Sequence, residues 1–244
     1  MRLNGQLLVL EMAVRELDAP RVRRYRKALI LGALREDVFF VPGVRVVFEH
    51  LSLSHFYGPG LPGGFLPFLW PGARWKTERF FSRAVALYRQ GRVPAAFLEL
   101  GRACHVLTDM ACPVHVHRVA HESDPYEWYV DAHMEQLATL RVPSAPQAQR
   151  PSELVEGLAR FTQQFTPDRT HNLLGRWLMK RGLRKPVPRH ELAEQAERII
   201  PMAASHVAGL LRLFLHATDA LTPSPATLRA DPASGFRPRW RRAP

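Results

Sequence analysis

Apolar side chains recur at three- and four-residue spacing along most of this chain, and alternation with a period of two is weak. Residues 5–17 and 21–35 each carry such a stripe, separated by Asp18-Ala19-Pro20, which predicts two helices with a break between them. Residues 75–90 and 94–111 predict two more, parted at Gly91, with Pro94 set at a helix start. Further helices are expected over 125–140, 152–165, 171–181 and 190–219, the last interrupted near Pro201. Val44 to Phe48 reads as a short strand or a turn. Residues 57–74 hold five glycines and four prolines and predict an irregular loop, and residues 143–151 a linker. No internal repeat is visible. The pattern predicts a compact all-α protein of about eight helices.

A chain of 244 residues, 46% hydrophobic, suits one domain with a sizeable core, here assigned to residues 1–221. Residues 222–244, ending Phe-Arg-Pro-Arg-Trp-Arg-Arg-Ala-Pro, have the composition of a flexible basic tail. The formal charge of +12, part of it in that tail, favours anionic partners: a phosphate ester, nucleic acid or an acidic membrane surface. No stretch is expected to span a membrane. The opening residues turn charged at Glu11, too soon for a clear signal peptide, so the chain as it stands is expected in the cytoplasm. The two cysteines, Cys104 and Cys112, match no CxxC zinc pattern. Each reads as a buried packing residue, with a ligand or nucleophile as the alternative for Cys104 beside His105.

The candidate chemistry lies in His105-Val-Leu-Thr-Asp109-Met-Ala-Cys-Pro-Val-His115-Val-His117, followed by His121 and by Glu127 and Asp131. His105 and Asp109, four apart, share one face of an apolar helix. A carboxylate inside such a helix needs compensation, which a histidine and a dication supply; the alternative is a solvent-facing Asp109. Imidazole nitrogen and carboxylate oxygen are donors that zinc accepts, and the cluster predicts a hydrolytic zinc centre of more than one ion. His115 and His117 share a side in a turning segment, so only one need reach the metal. Asp37 and His55 would come in from outside the central helix. Phe56, Tyr57, Phe65, Phe68, Trp70 and Trp75 flank the glycine- and proline-rich loop, where they could seat a lipid, stack on a base or pack the loop. Arg102 and Arg118 read as arginines of a solvated face, with attraction for the anionic substrate as the alternative.

Five blocks in order, Ala33 to Asp37, Ser54 to Pro59, Leu100 to Asp109, Pro113 to His115 and His121 to Glu127, resemble the bacterial zinc-dependent phospholipase C family. Its all-helical fold is shared with the single-strand-specific zinc nucleases. The resemblance spans roughly residues 25–135. It implies that His55, His105 and Asp109 bind a first zinc and that His115, His121 and Glu127 bind a second, with His117 and Asp131 as substitutes. Asp37 would bridge or position the attacking water. Two zinc ions are thus expected, with hydrolysis of a phosphodiester by metal-activated water. Phospholipid is the preferred substrate, a single-stranded nucleic acid the alternative. Phe56, Tyr57, Phe65 and Trp70 are the candidate substrate contacts, and peripheral membrane contact is part of the same expectation. A reading of another class is a catalytically impaired, zinc-stabilised protein that binds anionic partners. In one respect the chain departs from the family, whose third zinc uses an N-terminal tryptophan and a nearby histidine. This chain begins Met1-Arg2-Leu3 and has no histidine before His50. Either the third site is lost, or the start lies upstream, which would also supply an export signal.

Overall fold

The computed structural model describes residues 1–35, 55–57, 72–119, 121 and 124–219. Among them are eleven helices and no strand. They are α1 (Leu3–Leu17), α2 (Pro20–Arg24), α3 (Arg26–Arg35), α4 (Ala73–Arg89), α5 (Val93–Asp109) and α6 (Pro113–Val116). Then come α7 (Pro125–Ala132), α8 (Met134–Leu137), α9 (Pro151–Thr162), α10 (Leu173–Lys180) and α11 (Arg189–Asp219). The all-α expectation stands. The count exceeds eight because two expected helices are each split, at Tyr25 and at His133, where the backbone leaves helical geometry, and because the short α6 was not expected. The expected strand or turn at 44–48, most of the loop at 57–74 and the tail at 222–244 lie outside the described residues.

α5 is the central element, buried without interruption from Glu99 to Asp109. Pro94 near its start costs no hydrogen bond, since the first helical N–H groups have no intrahelical acceptor. α3 and α4 pack along it, while α1 and α9 lie against α11. The contact between α3 and α5 is made by two glycines. A Cβ at Gly32 would stand 1.9 Å from the Leu98 carbonyl oxygen, and one at Gly101 2.0 Å from the Leu29 carbonyl oxygen. Only hydrogen fits there, so the backbones touch. On the far side, the Phe214 ring of α11 meets Phe97, Tyr88 and Phe81 edge-on, with centroids 5.4, 5.8 and 6.3 Å away. Edge-to-face pairs of this kind add about 0.5–1.5 kcal/mol each beyond the area they bury.

Two expectations about α11 need correction. The helix runs through Pro201 without a break, because its other turns are held by a buried face from Leu192 to Phe214. It is also long and apolar enough to cross a membrane, with a mean hydropathy of 1.4, although no such stretch was expected from the sequence. Of that apolar window 72% is buried inside the protein, the pattern of a core helix.

Candidate metal centre

The C-terminal turn of α5 carries His105 and Asp109 on one face, and the Gly32–Gly101 contact sets the ring of the first. Close approach of α3 brings the Ala33 carbonyl to 2.8 Å from His105 Nδ1. Donation from Nδ1–H to that carbonyl leaves Nε2 as the lone-pair nitrogen, the usual second-shell arrangement of a metal-binding histidine. His105 Nε2 lies 3.3 Å from Asp109 Oδ2, and His55 Nδ1 lies 2.7 Å from the same oxygen. All three side chains are buried, and one donor atom from each falls within 4.8 Å of the others. Ligands about 2.0–2.2 Å from a tetrahedral zinc stand roughly 3.3 Å apart, so this donor set fits the ion in kind and in scale.

His55 is placed by a strap. Its carbonyl lies 3.3 Å from His115 Nδ1, the Tyr57 N–H donates to the His115 carbonyl, and the Ala73 N–H donates to the Phe56 carbonyl. Lys76, itself buried, puts Nζ 3.0 Å from His55 Nε2, on the side away from Asp109.

A second group forms just beyond. After Asp109 the chain turns through Met110 and Ala111, Cys112 caps α6, and Pro113 opens that helix with His115 in it. α7 begins at Pro125 behind Asp124, whose Oδ1 accepts a hydrogen bond from the Tyr126 N–H and so fixes the first turn that holds Glu127. Cys112, His115 and Glu127 each offer a donor atom, the three within 4.8 Å of one another and all buried. Between the two groups lies the Met1 α-ammonium, 2.7 Å from Asp109 Oδ1 and 2.7 Å from Glu127 Oε1. Gln6 Nε2 donates to Asp109 Oδ1 at 2.8 Å.

The electrostatics leave His55 and His115 neutral and the Asp109 and Glu127 carboxylates charged. Burial lowers His55 to about 4 against the pull of Asp109, and lowers His115 to about 3, helped by the Met1 ammonium. Burial alone would raise both carboxylates. The Met1 ammonium and the neighbouring histidines outweigh it, holding Asp109 well below the ordinary range and Glu127 at about 2. At neutral pH His55 and His115 are therefore neutral imidazoles, while Asp109 and Glu127 carry charge.

Of the residues expected from the sequence, His55, His105 and Asp109 meet in one group, and His115 and Glu127 in the other. His121 stands beside the second group: its ring centroid is 5.1 Å from that of His115, and its Nδ1 is 3.0 Å from the Val119 carbonyl. His117 Nε2 is engaged by the Phe165 carbonyl at 3.0 Å, and Asp131 pairs with Arg2 at 2.8 Å. Asp37, Phe65 and Trp70 lie outside the described residues. Phe56 and Tyr57 are each only 5% exposed, and Phe56 stacks on His115 with the rings 16° apart. Arg102 is not a solvated arginine. It is buried, bonds Glu99 at 3.2 Å and stacks on Phe80. Cys104 belongs to neither group and sits in the apolar core, where burial pushes its thiol up.

Sequence reasoning missed Cys112 as a neighbour of His115, although the three-residue spacing across a helix start was the available signal. It also passed over Gln6, a polar residue inside the apolar stripe of α1, and Lys76.

An all-helical body with buried histidine, aspartate and glutamate donors in two adjacent groups is the frame of a zinc enzyme. Residues 7–138 match the family described as zinc dependent phospholipase C, and the chain belongs to that family. It is 36% identical over 85 residues to a phospholipase C of Listeria monocytogenes, covering 32% of this chain and 29% of that one. Two solved structures share the fold. The alpha-toxin of Clostridium perfringens superposes with a TM-score of 0.59 at 14% identity, over 88% of this chain and 64% of that one. The alpha toxin of Clostridium absonum gives 0.61 at 16% identity, over 91% and 67%. This chain thus spans less than a third of the matched Listeria phospholipase C and about two thirds of the toxins.

Proposed function

We propose that this protein is a zinc-dependent phosphodiester hydrolase that cleaves phospholipids with a metal-activated water. The observation that carries the reading is the meeting of His55 Nδ1, His105 Nε2 and Asp109 Oδ2 in a buried group beside a second group on α6 and α7. His55, His105 and Asp109 would hold one ion; His115 and Glu127, with His121 next to them, would hold another. Bound zinc supplies acidity to a coordinated water and stabilises charge on a phosphoryl oxygen. The chain's own part is to keep His55 and His115 neutral, to fix the His105 tautomer through Ala33 and to exclude bulk water, so that electrostatic interactions are strengthened. Asp37 remains the proposed residue for positioning the water, on the strength of the family resemblance.

A lipid surface is favoured over nucleic acid by α10 and the turn after it. Leu174, Trp177, Met179 and Leu183 are exposed there. They alternate with Arg176, Lys180, Arg181, Arg184 and Lys185, and no acidic residue occurs from Arg169 to His190. Apolar side chains backed by cations suit an anionic membrane interface. The segment follows Phe165, whose carbonyl engages His117 at 3.0 Å.

The test is turnover by the zinc-loaded chain on phosphatidylcholine vesicles, single-stranded DNA and a soluble chromogenic phosphodiester. Lipid hydrolysis that is abolished by chelation is expected. Preference for DNA would move the reading to a nuclease, and stoichiometric zinc without turnover would make the chain a zinc-stabilised binding protein.

A further inference from the structure

We propose that Cys112 is a zinc ligand, so that the second position is held by sulfur, nitrogen and oxygen from Cys112, His115 and Glu127. The proposal rests on the metal-centre reading above and deepens it. Cys112 Sγ lies 3.3 Å from Glu127 Oε1, and the His115 imidazole completes a buried group whose donor atoms are all within 4.8 Å. Zinc takes thiolate at about 2.3 Å, imidazole at about 2.0–2.1 Å and carboxylate at about 2.0–2.2 Å. Ligand atoms of one tetrahedral ion therefore stand roughly 3–4 Å apart, the scale found here.

The local chain explains why the sulfur points inward. Cys112 has extended backbone angles, φ −98° and ψ 119°, at the N-cap of α6, and Pro113 sets the helix to start immediately after it. The His115 N–H bonds the Cys112 carbonyl at 3.0 Å, closing a turn that places the two side chains on one side at a spacing of three. Burial by itself does not select this cysteine. Both cysteines are buried in the core, but only Cys112 has a carboxylate and an imidazole as neighbours, and Cys104 belongs to neither donor group. His121, which the family resemblance assigns to this ion, stands beside the group and not in it, its ring centroid 5.1 Å from that of His115. Three protein ligands with a fourth position open is the arrangement of a catalytic zinc. Ligation forms one S–Zn bond and releases the thiol proton to solvent, with no change of oxidation state.

Cobalt provides the readout. The full chain, stripped by chelation and reloaded with Co2+ alone, is expected to show the intense near-ultraviolet charge-transfer band of a cobalt–thiolate bond, which nitrogen and oxygen ligands do not produce. Cys104→Ser and His121→Ala should keep the band. Cys112→Ser should lose it while cobalt is still bound at the first position. X-ray absorption of the zinc-loaded wild-type chain needs no substitution, and a sulfur shell near about 2.3 Å is expected. Metal uptake with neither band nor sulfur shell overturns the thiolate and leaves the metal centre intact. Failure to take up any metal overturns both.

Discussion

The two donor groups are neighbours built on different supports. The first hangs on the last turn of α5, a helix buried along its length and pinned to α3 by glycines. The second hangs on the four residues of α6 and the first turn of α7. A site on a long packed helix inherits that helix's rigidity, while a site on two short elements depends on caps and turns for its shape. The first group should therefore keep its geometry without a metal, and the second should be organised by metal to a greater degree.

The largest effect expected is that of Asp109→Asn. Oδ2 serves the first group, and Oδ1 meets the Met1 ammonium that also touches Glu127, so one substitution disturbs both. Losses from second-shell changes run at about 10–100-fold, and removal of a ligand should exceed them. Hydrolysis of a chromogenic phosphodiester should fall by more than roughly 100-fold, with less than one zinc retained per chain. Glu127→Gln, by comparison, should leave the first zinc in place. Equal metal loss in the two variants would erase the distinction between the groups.

Chelation comes next. A ligand present at 100 times its dissociation constant stabilises the folded state by about 2.7 kcal/mol, and each kcal/mol moves the melting temperature by about 2–4 °C in a chain of this size. Removal of zinc should lower the midpoint by roughly 5–10 °C, read by calorimetry. In a graded chelator titration with metal analysis, the more weakly held equivalent should be the one at Glu127. Its loss should leave the His105 ring signals unmoved in NMR.

How much of this was legible in the sequence follows the same division. His105 and Asp109 could be read directly, since a four-residue spacing on an apolar helix fixes a shared face whatever surrounds it. The partners that orient them could not. The Ala33 carbonyl reaches His105 only because Gly32 and Gly101 let two backbones touch, and helical periodicity does not say which glycines do so. In the second group His115 and Glu127 stood out as candidate donors, and the family resemblance assigned them to one ion. Cys112 was read as packing because its role depends on how a capped turn folds back. Met1 and Gln6 are more than 100 residues from Asp109 along the chain, beyond the reach of any local pattern.

A smaller effect, and one that tests the rigid support, is Gly101→Ala. Alanine gains about 0.8–1 kcal/mol of helix propensity over glycine. Against that, its Cβ would sit 2.0 Å from the Leu29 carbonyl oxygen, and backbone cannot swing aside as a side chain can. Overpacking typically costs about 1–3 kcal/mol, so net destabilisation of up to about 2 kcal/mol is expected in denaturant unfolding. Separation of α3 from α5 should loosen the first zinc and leave the second unaffected. A stabilised variant with unchanged zinc affinity would show that the glycine contact does not set His105.

The pH dependence of stability without metal separates the two supports in another way, because the groups there pull in opposite directions. His55 and His115 are lowered from 6.5 to about 4 and about 3, so between those values the unfolded chain binds more protons. Stability should fall as pH drops from about 6.5 towards 3. Asp124 behaves in the reverse sense. Burial first, and then the Glu127 carboxylate, raise it from 3.8 to about 8 against the hydrogen bond from the Tyr126 N–H. Its folded form thus holds a proton that the unfolded chain has already lost. The stability this confers is complete below about 3.8 and disappears as pH rises through about 8. Asp124→Asn keeps an oxygen for the Tyr126 N–H and carries no charge. Relative to the wild type it should gain stability steadily from about pH 4 to 8, measured by urea unfolding in chelator. A constant difference across that range would mean that Asp124 is ionised in the folded protein and that the cap of α7 works as a carboxylate.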